Sequence, residues 1–141
     1  MIIIIIINVY KLQRAQNNLT RVVCQSCRDR TDARAAASLA IHWLPVRQRV
    51  TYKLAVLTHK VRTTATPTYL SELVQTRAPP RALRSFDAPM LVVPRIHTAL
   101  ARRTFSVAAP FTWNYLPAGI RLCENILTFK RHLKTHLFKL P

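Results

Sequence analysis

Acidic side chains are nearly missing from this chain: five stand against 22 Lys and Arg, scattered singly at Asp29, Asp32, Glu72, Asp87 and Glu124. Polymerases and nucleases that use two metal ions need several carboxylates converging on a metal pair about 4 Å apart. No Asp-Asp pair exists here, so that chemistry is not expected. Glycine is scarcer still, with Gly119 alone. A loop that cradles phosphate needs glycines so that backbone amides can approach the ligand, and nucleotide-binding loops are excluded. Cysteine is limited to Cys24, Cys27 and Cys123. An odd count without an export signal argues against a secreted disulfide framework and for reduced thiols, hence for an intracellular protein whose compartment, the nucleus included, stays open. Nor does any Ser or Cys sit in a nucleophile signature beside a His and an orienting acid. The opening apolar run, Ile2 to Ile7, is six residues long, far short of the ~20 a membrane-spanning helix needs. With no basic segment before it, the run does not read as a signal peptide either. Its repetition reads as a low-complexity leader, residues 1–10, with the propensity of a sticky exposed strand.

What the chain does have is charge and apolar surface. The net charge is +17, and Arg outnumbers Lys by 16 to 6. Such an excess repels itself in a compact state and attracts polyanions, because each phosphate neutralised releases condensed counterions. Arginine further favours planar two-point contacts to phosphate or guanine. Nucleic acid, RNA or DNA, is therefore the expected partner, bound electrostatically and without sequence preference, and an anionic membrane surface is the second choice. Half of the 141 residues are apolar, too many for a disordered chain and enough for a core.

The apolar residues recur mostly at helical spacing. Leu12, Ala15, Leu19 and Val22 share a face of a helix expected over about Lys11 to Val23. Thr31 and Asp32 can cap a short Ala-rich helix through Ile41. From Val46 to Val61, the residues Val46, Val50, Leu54, Leu57 and Val61 fall within a sector about 80° wide. Five of the nine prolines lie between Thr63 and Pro94, which breaks long helices and leaves one short helix near Tyr69 to Val74. Met90 to Val93 and Thr104 to Val107 are brief β-rich runs expected to pair as a hairpin. Asn125 can cap a last helix whose Ile126, Phe129, Leu133, Leu137 and Leu140 form a stripe.

Basic side chains flank two of these stripes. Arg47, Arg49, Lys53, Lys60 and Arg62 belong to the helix from Val46, and Lys130, Arg131 and Lys134 to the last helix; together they are the candidate nucleic-acid contacts. The bland reading of the same residues is a solvated face. Trp43, Tyr52, Tyr69, Phe105, Trp113 and Tyr115 can stack bases, although core packing is the commoner fate of aromatic residues. Cys24 and Cys27 form a C-x-x-C, and His132 with His136 stands at i, i+4, which makes four possible zinc ligands. More than a hundred residues separate the two pairs, unlike the short linkers of zinc fingers. No metal and no cofactor are expected.

Six strings, in order, carry a resemblance: LQRAQNNLTRVV from Leu12, HWLPVRQRVTYKLAVLTHK from His42, PTYLSEL from Pro67, LVVPR from Leu91, FSVAAPFTWNYLP from Phe105 and LTFKRHLKTHLF from Leu127. Together they resemble the carboxy-terminal region of LINE-type (non-LTR) retrotransposon polyproteins, downstream of the reverse transcriptase palm, over most of Leu12 to Phe138. The resemblance implies a thumb-like piece and the segment after it, which help hold the RNA template and growing DNA, without the palm aspartates or the endonuclease. It departs from the family pattern in the Ala-rich stretch Ala35 to Ile41, where Ala40 and Ile41 look inserted, as in a decayed or truncated copy.

The expected architecture is mainly α, four to five helices with a short two-stranded β hairpin, as an incomplete domain fragment. A helical thumb-like segment covers 11–62, a Pro-rich linker with one short helix 63–89, and a hairpin followed by basic amphipathic helices 90–141. The expected function is non-catalytic, with residual nonspecific RNA or DNA binding through the basic helices. The alternative is a basic amphipathic protein that binds anionic membranes or an acidic partner.

Overall fold

A computed structural model describes residues 2–24 (side chains 8–23), 43–77 and 90–140. The Ala-rich segment through Ile41, Cys27 and the proline-rich stretch 78–89 lie outside the described residues. Those described are mainly helical: α1 (Ile2–Cys24), α2 (Val46–Thr64), the single turn α3 (Thr68–Ser71), α4 (Phe105–Tyr115), the short α5 (Ala118–Arg121) and α6 (Ile126–Lys139). A 3₁₀ turn, Ala101–Arg103, precedes α4. Two compact units result, one of Met1–Val50 with Leu137–Pro141 and the other of Thr51–His136.

In the first unit, α1 begins at Ile2, so the backbone of the isoleucine run is helical and not strand-like. Once a helix is nucleated, each added residue closes one more backbone hydrogen bond, and this outweighs the few tenths of a kcal/mol by which Ile is a poorer helix former than Ala. The face that α1 buries also differs from expectation. Leu12, Leu19 and Val22 are exposed, whereas Gln16 and Thr20 are buried. The cause is the entry into α2. Gln16 Nε2 donates to the Leu44 carbonyl at 3.0 Å, and Gln13 Oε1 accepts from Val46 N at 2.9 Å. The second bond satisfies one of the amide donors that every helix start leaves without an intrahelical partner, which an apolar face could not do.

The second unit is built on an aromatic core. Trp113 of α4 and Phe129 of α6 stack with ring centroids 5.8 Å apart, and His59 of α2 lies 4.3 Å from Phe129. All three are buried, as are Ala55, Thr58, Val61, Val107, Leu116, Ile120 and Leu133. Along α2 the buried set Ala55, Thr58 and His59 is turned by roughly 130° from the expected apolar stripe. Of that stripe only Val61 is buried, and Val50 is 60% exposed. The physical reason is size and polarity. Ala55 and Thr58 let α2 approach the Trp113 and Phe129 rings closely, Thr58 Oγ1 returns its proton to the Leu54 carbonyl, and His59 Nε2 donates to the Cys123 carbonyl at 2.8 Å. Each polar group on the buried face that makes such a bond escapes the penalty of desolvation.

The hairpin expected between Met90–Val93 and Thr104–Val107 is not formed. Thr104 precedes α4 in extended conformation, and Phe105 onward is helical. The segment at Leu91 is extended but pairs elsewhere, through an isolated antiparallel bridge to Thr76, with Arg77 N on the Met90 carbonyl and Val92 N on the Gln75 carbonyl, both at 2.9 Å. Its other edge is closed by one side chain. The Asn114 amide donates to the Leu91 carbonyl and accepts from Leu91 N, each at 2.8 Å. An amide has the donor and acceptor geometry of a peptide group, so Asn114 stands in for a neighbouring strand and frees Thr104–Val107 to coil. The last helix follows expectation: Asn125 Oδ1 accepts from Leu127 N at 2.8 Å as an N-cap, and Phe129, Leu133 and Leu137 are buried. At the C-terminus of α2, Ala65 takes φ 50°, the left-handed position that favours glycine.

Two stability measurements follow from this packing. In urea melts, Phe129→Ala is expected to lose about 3–5 kcal/mol, while Val50→Ser stays within about 0.5 kcal/mol; equal losses would return α2 to its expected face. Ala65→Gly is expected to be neutral or up to about 1 kcal/mol more stable, since it removes the left-handed strain.

Candidate nucleic-acid interface

The eight candidate cations do not form one set. Arg49, Lys53 and Lys60 are all exposed, and helical rotation puts them within a sector of about 40° on α2. That sector lies away from the buried face carrying Ala55, Thr58 and His59. Arg47 is also exposed but points elsewhere; its guanidinium stands 5.7 Å from the Tyr10 ring centroid, a cation–π distance. On α6, Arg131 is exposed, while Lys130 and Lys134 are half-buried beside the Phe129, Leu133 and Leu137 stripe.

Arg62 has a different environment. Its guanidinium lies 4.6 Å above the Trp113 ring, on the core that holds α2, α4 and α6. Burial, and secondarily the Arg121 charge, pull its pKa below the ordinary arginine value. Arg121 is thus close enough to repel it. The geometry therefore gives Arg62 a packing role that the basic pattern of α2 did not reveal, because spacing along one helix carries no information about which ring a distant segment brings over it.

The aromatic candidates also divide. Trp113 is fully buried and unavailable to any ligand, whereas Tyr69, Tyr115 and, at the rim of burial, Trp43 are exposed; Tyr52 and Phe105 are half-buried. Phe111, which the sequence reading passed over, is exposed. Its signal was available: Phe111 and Tyr115 stand at i, i+4.

Of the possible zinc ligands, Cys27 lies outside the described residues and nothing is described of the Cys24 side chain. His132 is exposed, with Nδ1 3.7 Å from Cys123 Sγ, and the thiol also lies 3.3 Å from the Gly119 carbonyl. His136 is half-buried, and its Nε2 is buried without a hydrogen-bond partner. Among the described residues no group of three or more His, Cys, Asp or Glu is placed to hold a metal ion. Also among the described residues, no helix is long and apolar enough to cross a membrane. The described acids are Glu72 and Glu124, both exposed.

No known protein family, curated protein or solved structure matches this chain.

The split between Arg62 and the outer sector is measurable. Arg62→Ala is expected to destabilise the protein by about 1–2 kcal/mol through lost contact with Trp113, and Lys53→Ala by less than about 0.5 kcal/mol. Thermal melts of the two variants decide it; an Arg62→Ala variant that melts with the wild type would make Arg62 a surface cation like the others.

Proposed function

We propose that this chain is a non-catalytic nucleic-acid-binding piece of LINE-type retrotransposon reverse transcriptase ancestry, thumb-like in role, that holds RNA or DNA by its phosphates without reading sequence. The observation that carries the reading is the exposed row Arg49, Lys53 and Lys60 on α2, in a chain of net charge +17. Side chains at steps of four and seven residues follow one line along a helix, so the row tracks a phosphate backbone as a set of point contacts. Arg131 on α6 adds an exposed cation of the same kind. The six ordered strings supply the ancestry, and the shortage of carboxylates supports assigning binding and no chemical step.

A second reading rests on α1. Its exposed Leu12, Leu19 and Val22 lie on one face, opposite exposed Arg14 and Arg21, which is how a helix lies in an anionic membrane surface. Co-sedimentation with anionic vesicles that exceeds RNA binding at the same salt would favour it.

Fluorescence anisotropy with labelled RNA and DNA between about 50 and 200 mM salt tests the first reading, with affinity expected to fall steeply and linearly on a log-log plot. The triple variant Arg49→Ala, Lys53→Ala, Lys60→Ala is expected to flatten that slope by roughly 2–3. Absence of binding at low salt, or a slope unchanged by the triple variant, sinks the reading.

A further inference from the structure

Phe111 and Tyr115 are 66% and 71% exposed, although α4 has a core available to it. On the opposite side of the same helix, Ala109 and Trp113 are fully buried. Residues at i and i+4 share a helix face with about 5–6 Å between their Cβ atoms, so the two rings are neighbours on the outer face of α4. Arg102 and Arg103, both exposed, stand in the turn immediately before α4. No acidic residue occurs between Asp87 and Glu124. The exposed rings thus stand on a helix whose preceding turn carries two exposed cations.

We propose that Phe111 and Tyr115 are a stacking platform for the unpaired bases of single-stranded nucleic acid, with Arg102 and Arg103 taking the flanking phosphates. The inference rests on the nucleic-acid reading above and narrows it to a class of ligand. Spacing is the discriminating argument. Consecutive bases in a duplex strand rise about 3.4 Å, closer than two rings one helical turn apart, so bases lying on both rings must first part from each other. A single strand allows that, whereas a duplex would have to unstack and unpair. Charge complementarity selects the phosphodiester over an apolar partner for this face, and stacking on aromatic faces tolerates any base, consistent with binding that ignores sequence.

The test uses the full chain and two probes of equal length, a uridine or thymidine oligonucleotide and a mixed-sequence duplex. The double variant Phe111→Ala, Tyr115→Ala is expected to lose about tenfold or more in single-strand affinity, with duplex affinity and salt slope unchanged. Phe111→Leu with Tyr115→Leu keeps apolar bulk without π faces and is expected to lose as much. Phe111→Trp with Tyr115→Trp is expected to restore binding. Wild-type affinity in the Leu pair, or equal losses for both probes, overturns the stacking platform. If the wild type binds neither probe at low salt, the broader nucleic-acid reading fails and takes the platform with it; if it binds both and the aromatic variants bind identically, the platform alone fails. Circular dichroism of each variant checks that these outward-facing substitutions leave the fold intact.

Discussion

The contact among His59, Trp113 and Phe129 is the constraint on which the second unit depends. It joins three helices distant in sequence through rings of different size, and of the two His59 ring nitrogens it leaves Nδ1 buried without a hydrogen-bond partner. His59 Nε2 finds its partner in the Cys123 carbonyl, just before the Asn125 cap that starts α6. The same bond thus fixes the rotation of α2 and the chain direction into α6. Aromatic pairs of this kind contribute about 0.5–1.5 kcal/mol beyond the area they bury, and they demand flat, closely placed neighbours. Ala55 and Thr58 meet that demand; Val50 and Leu57 on the other side of α2 do not.

In each unit the backbone is held by side chains imitating peptide groups. Asn114 closes the edge of the Leu91 segment, and in the first unit Gln13 and Gln16 close the entry into α2. Such bonds contribute about 1 kcal/mol each and more when their loss would strand a buried group. They explain why polar faces are buried where apolar ones were expected. They also leave apolar side chains of α1 facing water, since one helix face cannot serve both the carboxamides and the leucines.

Electrostatics follows the same division between inner and outer surfaces. Arg62 uses the Trp113 ring as its neighbour and loses some of its solvation, while Arg49, Lys53 and Lys60 remain in water. A cation over a ring supports the fold; cations in a row on an exposed sector, with Glu72 and Glu124 as the acids among the described residues, present a field that is positive in sign. On the function proposed above, a polyanion is the partner that would relieve it.

The sequence by itself determined the helical class, the cap at Asn125, the buried stripe of Phe129, Leu133 and Leu137, and the basic sector of α2. These are local properties: periodicity, a side-chain oxygen near a helix start, and charges four or seven residues apart are all written within one turn or two. Tertiary structure decided which face of α1 and α2 is buried, that Leu91 pairs with Thr76 and Asn114 instead of with a hairpin partner, and that Arg62 packs while Phe111 stays outside. Each of those depends on what a distant segment brings to the contact. A glutamine can be buried when a backbone carbonyl waits for its side-chain amide, and a valine is left in water when another face of its helix is the one that is buried.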